Sequence, residues 1–146
     1  MPAPHYSLIE TSRGEDPAIV VVNSALRLFT HRDQFPWHLE VSIQCKLLGD
    51  KGMPTPQENQ VLYQLEDALE GHLRVGENAV FLARVTCRGK RELSYRVRAP
   101  KIADDHLSRL VSELTSREWE YRMEHDAQWK LAAPVLELLD RDPKIN

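Results

Sequence analysis

The sequence has few of the residues that build disulfide frameworks or metal sites. Only two cysteines occur among its 146 residues, Cys45 and Cys87, and they show no CxxC spacing. This argues against a secreted disulfide scaffold, and we expect the protein to be cytoplasmic. The six histidines include no HxH, HxxxH or HExxH pair, so we predict neither a metal site nor a cofactor.

Long apolar runs and an excess of one charge are also missing. No segment approaches the roughly 20 apolar residues that cross a bilayer, and the first ten residues lack the pattern of a secretory signal. The net charge is −3, whereas proteins that make many phosphate contacts are normally basic. We therefore expect neither a membrane nor a nucleic acid as the main partner.

Enough apolar residues are present for one core. They make up 42% of the chain, and its length predicts a single domain, residues 1–146. Two β-prone runs, 5–10 and 18–26, flank a turn-like segment and predict an N-terminal hairpin over residues 5–26. The sequence leaves open whether this hairpin extends the main sheet or covers it.

Residues 37–47 alternate strictly between apolar and polar side chains, which is typical of a half-buried strand. On its polar side, His38 beside Glu40 is interpreted as a solvated surface pair. Apolar residues then recur at helical spacing up to about Gly76. Thr55 is expected to cap this helix, and Glu58 lies where a capping box requires an acid.

Residues 78–98 predict a β-hairpin around Cys87, Arg88 and Gly89. A three-residue loop would place the apolar residues of both arms on one face. In that register Arg84 lies opposite Glu92, as a favourable cross-strand pair. The outward apolar positions of this hairpin, Val80 and Leu82, should be covered by the N-terminal hairpin or by a second subunit.

A second helix is expected to begin at a cap provided by Asp104 or Asp105. Its predicted buried stripe consists of Leu107, Leu110, Val111 and Leu114. The aromatic segment EWEYRMEHDAQW, 118–129, then alternates as one more strand with its aromatic side chains inward. Asp126 is predicted to cap a C-terminal helix over residues 127–139, although Pro134 would kink or break that helix.

The predicted order from residue 37 to residue 126 is strand, helix, strand, strand, helix, strand. Two strand–helix–strand units of this kind predict an α+β, ferredoxin-like split βαβ sandwich, βαββαβ. Its core would span residues 37–126. The N-terminal hairpin and the C-terminal helix would be additions to it.

Four linked motifs resemble one known family. FPWHLEVSI, LEDALEGHL, VFLARVTCRGKRELSYRV and YRMEHDAQW are similar, in this order, to the bacterial family called domain of unknown function 695. The resemblance implies a fold rather than an activity, and it carries over no catalytic residue. The family is similar in style to a domain that binds and inhibits ribonuclease E, which implies protein binding.

Two other functions remain open from the residues themselves. Cys87 lies beside Arg88, Lys90 and Arg91, whose charges would make a thiol more reactive, so a small hydrolase or thiol enzyme is one alternative. The same basic tip could contact phosphate, so weak RNA binding is the other. The outward sheet positions carry no stacking aromatic residue apart from His38, which disfavours RNA. No nucleophile–base motif is evident, so no catalytic residue is assigned.

The favoured hypothesis is a non-enzymatic cytoplasmic domain that binds another protein, as a regulator or inhibitor of a partner such as a nuclease or toxin. A homodimer through the sheet face is a further expectation. One candidate contact surface is a charged sheet face composed of Glu40, Arg84, Arg96, Glu120 and Arg122. The other is an acidic helix face composed of Glu66, Asp67 and Glu70.

Overall fold

The computed structural model describes residues 2–141, so Met1 and residues 142–146 of the predicted domain lie outside the described residues. The strands are β1 Tyr6–Arg13, β2 Asp16–Asn23, β3 Trp37–Gln44, β4 Ala79–Cys87, β5 Lys90–Val97 and β6 Trp119–His125. The helices are α1 Pro56–Leu73, α2 Pro100–Glu113 and α3 Ala133–Arg141. Between residues 2 and 141, no helix is both long and apolar enough to cross a bilayer.

All six strands form one antiparallel sheet in the order β1-β2-β4-β5-β3-β6. The protein is thus a mixed α and β structure, as predicted. The N-terminal hairpin, β1 and β2, extends the sheet beside β4 instead of covering it. The period-two alternation of β3 and β6 is confirmed, since Trp119, Tyr121 and Met123 all pack inward.

One face of the sheet, here called the α1 face, packs against α1 and α2. Its core consists of buried residues from β3 to β6 and from both helices: Leu39, Val41, Ile43, Leu62, Leu65, Leu69, Leu73, Ala79, Leu93, Tyr95, Val97, Ala103, Leu107, Leu110 and Trp119. Val111 was predicted to join this core, but it is exposed. It lies at the solvent edge of the helix stripe.

The opposite face, here called the α3 face, holds a second core. Its buried members are Ile9, Val20, Val22, Leu26, Phe35, Leu82, Ala83, Trp129, Ala132, Leu136 and Leu139. Val80 packs against the same cluster. The apolar positions that suggested a dimer are therefore covered by the chain's own α3 and the segments before it.

The register predicted for the β4–β5 hairpin is wrong for residues 83–87, next to the loop. Cys87 pairs with Lys90, so the loop has two residues, and both adopt positive φ, +52° at Arg88 and +72° at Gly89. This geometry suits a tight turn between twisted strands. The two-residue loop pairs Arg84 with Leu93 instead of Glu92, and a β-bulge at Leu82 then shifts the pairing of the residues before it, so that Phe81 lies opposite Tyr95.

The bulge also decides which face each β4 side chain joins. Phe81 packs on the α1 face, whereas Leu82 and Ala83 both join the core of the α3 face. The next residue, Arg84, therefore returns to the α1 face, where it contacts α1. The sequence predicts that the alternating apolar residues of this strand lie on one face, whereas in the structure they are divided between the two faces.

Replacing Gly89 by alanine is expected to lower the free energy of unfolding by about 1–2 kcal/mol. Its φ is unfavourable for a side chain, and an added Cβ would lie 3.0 Å from a methyl carbon of Leu48. The control is Gly71→Ala in α1, where no atom lies within 4 Å of the new Cβ. The free energy of unfolding of this control variant should rise by about 0.5–1 kcal/mol. Urea denaturation measures both, and equal effects would contradict the strained turn.

Two helices begin at positions other than those predicted. α2 starts at Pro100, because Asn78 fixes the preceding residue, Ala99, through hydrogen bonds to its N–H and C=O. Neither Asp104 nor Asp105 caps it. α3 starts at Ala133, so Pro134 lies in its first turn and does not break it.

Asp126 caps a turn and not a helix. Its carboxylate accepts hydrogen bonds from the backbone N–H groups of Lys130 and Leu131. Trp129 lies inside this turn at φ +58°. Residues 127–132 of the predicted C-terminal helix are consequently a loop that places the Trp129 ring against the sheet.

The capping box predicted for α1 is half confirmed. The Thr55 side chain accepts the Glu58 N–H as expected. The Glu58 carboxylate, however, is buried and accepts hydrogen bonds from the N–H groups of Lys46 and Leu47 and from the Arg117 guanidinium. Glu58 thus joins three separate segments of the chain instead of closing the end of its own helix.

Candidate partner-binding site

A groove opens between α1 and the N-terminal hairpin on the α1 face. Its volume is about 240 Å³. We call it the acidic groove, and it is lined by Tyr6, Val21, Glu66, Asp67, Glu70, Phe81, Arg84 and Tyr95. It brings the three residues of the predicted acidic helix face next to the hairpin, which the sequence did not place.

The three carboxylates share one side of α1 because of their spacing. Residues three or four positions apart lie side by side on a helix, which groups Glu66 and Asp67 with Glu70. They differ in environment, since Glu66 is buried whereas Asp67 is exposed. The prediction that all three form one exposed face is therefore wrong for Glu66.

Glu66 is neutralised by two arginines of the sheet. Its carboxylate accepts a hydrogen bond from Arg84 Nε at 2.5 Å and another from Arg91 Nη1 at 3.3 Å. The ring of Tyr63 lies 5.2 Å and 5.3 Å from the two guanidinium carbons. Glu66 is thus a structural anchor between α1 and the sheet, and Arg84 belongs to this anchor.

The other two carboxylates of the groove carry unbalanced charge. Asp67 and Glu70 form no ion pair with any cation between residues 2 and 140. They stand on the groove side of α1, above a wall of aromatic rings. The groove therefore presents net negative charge to an approaching molecule.

The aromatic wall links the hairpin to the core. The rings of Tyr6 and Phe81 meet edge to face with centroids 5.9 Å apart, and those of Phe81 and Tyr95 do so at 5.7 Å. Tyr95 is only 2% exposed, so it forms the floor of the groove. Tyr6 is 55% exposed and forms the outer rim.

The Tyr95 hydroxyl makes no hydrogen bond to another side chain or backbone group within residues 2–141. In the same part of the chain, every fully buried side-chain polar atom has a partner, so this hydroxyl is open to the groove. Burial raises its pKa above the usual range, and the negative charge of Glu70 adds to this effect. The floor of the groove consequently offers a neutral hydroxyl.

An apolar strip continues from the groove along the hairpin. Leu8 is 60% exposed and pairs across the strands with Val21, which also lines the groove. Ile19, two residues before Val21 on the same face, is half-buried. No helix among the described residues covers this strip, because α1 and α2 lie over β3 to β6.

The predicted charged sheet face is brought together only in part. Glu40, Glu120 and Arg122 lie on the α3 face, in a shallow polar depression on β3, β5 and β6. Arg122 is exposed and its Nη2 lies 3.3 Å from Glu40 Oε2. Arg84 is on the opposite face and Arg96 is buried, so neither joins this surface.

Arg96 is the centre of a buried polar network. It is 0% exposed and donates hydrogen bonds to the Phe35 carbonyl and to both the carboxylate and the carbonyl of Asp126. Its guanidinium lies 4.5 Å from the Trp129 ring centroid. His38, predicted to be solvated, is buried against it, and burial and the Arg96 charge both lower the pKa of His38.

The basic tip of the β4–β5 hairpin, on which the RNA-binding and thiol-enzyme alternatives rest, is largely ion-paired or buried. Arg88 forms an ion pair with Asp16, and Arg91 is buried against Glu66. Cys87, the thiol of the enzyme alternative, is also buried. Lys90 is exposed like Arg88 but, among the described residues, forms no ion pair.

The histidines include one close pair, His72 and His106, with ring centroids 5.4 Å apart. Over residues 2–141, no group of three or more histidine, cysteine, aspartate or glutamate side chains has a geometry that could hold a metal ion.

Sequence reasoning found the carboxylates of the groove and missed its aromatic residues. Tyr6 was assigned only to a strand, and Phe81 and Tyr95 only to the core side of the β4–β5 hairpin. The available signal was the alternation of β1, which leaves Tyr6 and Leu8 on one side of an edge strand. The sequence did not reveal that this side would lie beside α1.

The fold and the groove define a small α+β domain with a six-stranded antiparallel sheet and an acidic groove beside its first helix. Residues 7–132 match the model of the family described as Family of unknown function (DUF695). The chain belongs to this family, which confirms the resemblance of its motifs. Comparisons with curated proteins and with solved structures give no significant match.

Proposed function

We propose that this protein is a non-enzymatic domain that binds another protein through the acidic groove and the adjoining apolar strip of the hairpin. The observation that carries the proposal is that carboxylates without an ion-pair partner lie next to apolar surface that no helix covers. Asp67 and Glu70 border a groove whose outer rim is Tyr6, and Leu8 extends the apolar surface beyond it. Apolar surface rimmed by charge is typical of protein interfaces.

Charge complementarity favours a partner segment that is basic and apolar. The groove carries more carboxylates than guanidinium groups, so a basic segment would be attracted and an acidic one repelled. The exposed side chains of Tyr6 and Leu8 offer the apolar area that such a segment would bury. A regulator or inhibitor of a nucleic-acid enzyme fits this preference, since such enzymes commonly carry basic surfaces.

The proposal includes a finer statement of the fold and of the compartment. We infer that β3, α1, β4, β5, α2 and β6 form a ferredoxin-like split βαβ unit, to which the hairpin and α3 are additions. The strand order β6-β3-β5-β4 within the sheet supports this. Two free cysteines support a reducing, cytoplasmic environment.

Reversing charge at Asp67 and Glu70 is expected to abolish partner capture. The tagged wild-type protein and an Asp67→Lys/Glu70→Lys variant would be used as baits in nuclease-treated lysate of the source organism, with quantitative mass spectrometry. The captured amount of a specific partner should be at least tenfold lower with the variant than with the wild type, because two attractive contacts become repulsive. Glu66 is left unchanged, since it is buried and its loss would disturb the fold.

The matched control is Glu120→Lys/Glu124→Lys. It makes the same change in charge at two exposed carboxylates of β6, on the α3 face. Capture should stay at the wild-type level in this control. Equal loss of the partner with both variants would contradict binding through the groove. So would a partner that is captured only from lysate without nuclease treatment.

A further inference from the structure

We propose that the acidic groove is a pocket for one basic side chain of the partner, an arginine or a lysine, held between the aromatic wall and the carboxylates of α1. This inference rests on the proposed protein-binding function and names the chemistry that the groove recognises. Four features of the groove carry it: its charge, its walls, its floor and its size.

The charge of the groove selects a cation. Of its three carboxylates, only Glu66 is matched by the arginines of the sheet. Asp67 and Glu70, one helical turn apart, remain without a cation among residues 2–140 and can together accept several N–H donors. Charge-assisted hydrogen bonds to carboxylates are among the stronger polar contacts in proteins.

The walls of the groove suit the apolar stem of such a side chain. Arginine and lysine bury their methylene groups along apolar surface while the charged end reaches a polar partner. Tyr6, Val21 and Phe81 provide that surface at the outer part of the groove. The faces of aromatic rings also attract a nearby cation directly.

The floor of the groove offers an acceptor that no protein group uses. Tyr95 is 98% buried, and its hydroxyl has no hydrogen-bond partner among residues 2–141. The hydroxyl is open to the groove, so a donor from outside the chain can bond it in place of water. The end group of a bound arginine or lysine is such a donor.

The size of the groove favours a side chain over a larger ligand. Its volume of about 240 Å³ is below the roughly 300–1,000 Å³ typical of pockets for cofactors and drug-sized molecules. Beyond Tyr6 the groove opens onto Leu8, so neighbouring apolar residues of a partner segment would find contact there.

The test uses NMR titration of the whole protein with three blocked tripeptides, in which arginine, lysine or citrulline lies between two leucines. Citrulline keeps the shape of arginine and removes its charge. The arginine and lysine peptides should shift the signals of Tyr6, Val21 and Tyr95, with a dissociation constant on the order of 1 mM. The citrulline peptide should bind at least tenfold more weakly.

Variants of the groove identify the contacts. Asp67→Asn/Glu70→Gln should weaken binding of the arginine peptide at least tenfold. Tyr95→Phe, which keeps the ring and removes the hydroxyl, should weaken its binding about threefold. Glu120→Gln/Glu124→Gln on the α3 face should have no effect. Equal binding of arginine and citrulline peptides, shifts outside the groove, or no shifts would each overturn the inference.

The two proposals fail in different ways. If the wild-type protein captures a partner that Asp67→Lys/Glu70→Lys loses, and the arginine peptide does not bind, the basic-side-chain pocket is wrong and protein binding stands. If the arginine peptide binds with the expected variant pattern and no protein is captured, the pocket stands and the proposed function is wrong.

Discussion

Replacing Arg96 by methionine is expected to lower the free energy of unfolding by about 3–5 kcal/mol, as for other buried ion pairs that lose one member. Methionine fills much of the space and stays in contact with Trp129. The Asp126 carboxylate would then be buried without a cation, and the Phe35 carbonyl would lose its donors. Urea denaturation monitored by tryptophan fluorescence measures the loss.

Arg122→Met is the control for this substitution. Arg122 is exposed, and its ion pair with Glu40 crosses the solvent-facing part of the sheet. Exposed ion pairs contribute about 0–1 kcal/mol, so this variant should remain close to wild type. If Arg96→Met and Arg122→Met lowered the free energy of unfolding equally, the burial of Arg96 would not be the source of its contribution to stability.

Glu58→Gln is expected to lower the free energy of unfolding by about 3–4 kcal/mol at neutral pH and to make stability less dependent on pH in acid. A hydrogen bond from Arg117 lowers the pKa of Glu58 to about 2 in the folded protein, against an ordinary value of 4.5. Each pKa unit corresponds to ~1.4 kcal/mol, which gives the magnitude.

The direction of the pH effect follows from the lowered pKa. The ionised Glu58 stabilises the fold fully above pH 4.5, the ordinary value, and this contribution disappears as the pH falls toward about 2. Urea denaturation at pH 7, 4.5 and 3 should therefore show the difference between wild type and Glu58→Gln shrinking with acid.

The control for this effect is Glu120→Gln, at an exposed position of β6. It should change the free energy of unfolding by less than about 0.5 kcal/mol at pH 7. A constant difference between wild type and Glu58→Gln at all three pH values would mean that the ionisation of Glu58 does not stabilise the fold.

Elements with one buried face could be predicted from the sequence. In β3 and β6 the polar side alternates with the apolar side, so the period of two is visible. α1 likewise shows a regular apolar stripe and a capping threonine. In these elements the local pattern and the final packing agree.

β4 could not be predicted in the same way, because both of its faces are buried. Val80, Phe81, Leu82 and Ala83 are all apolar, so an extra residue in the strand leaves no trace in the pattern. A register with or without the bulge gives an equally good hydrophobic alternation. The error in β4 then placed Arg84 on the wrong face.

The burial of Arg96 and Glu66 depends on contacts that are distant in the sequence. Arg96 is covered by Phe35 and Asp126, 61 and 30 residues away. Glu66 of α1 contacts Arg84 of β4 and Arg91 of β5. Charged residues are mostly exposed, so a local reading places both at the surface.

The helices cover diagonally opposite halves of the sheet. α1 and α2 lie over β3 to β6 on one face, whereas α3 and the segments before it lie over β1, β2 and β4 on the other. Part of each half of the sheet is thus uncovered on one side, and the two uncovered parts point in opposite directions. The acidic groove borders one of them and the depression near Glu40 lies on the other. The groove and the depression therefore face away from each other, so a molecule bound at one of them would leave the other open to solvent.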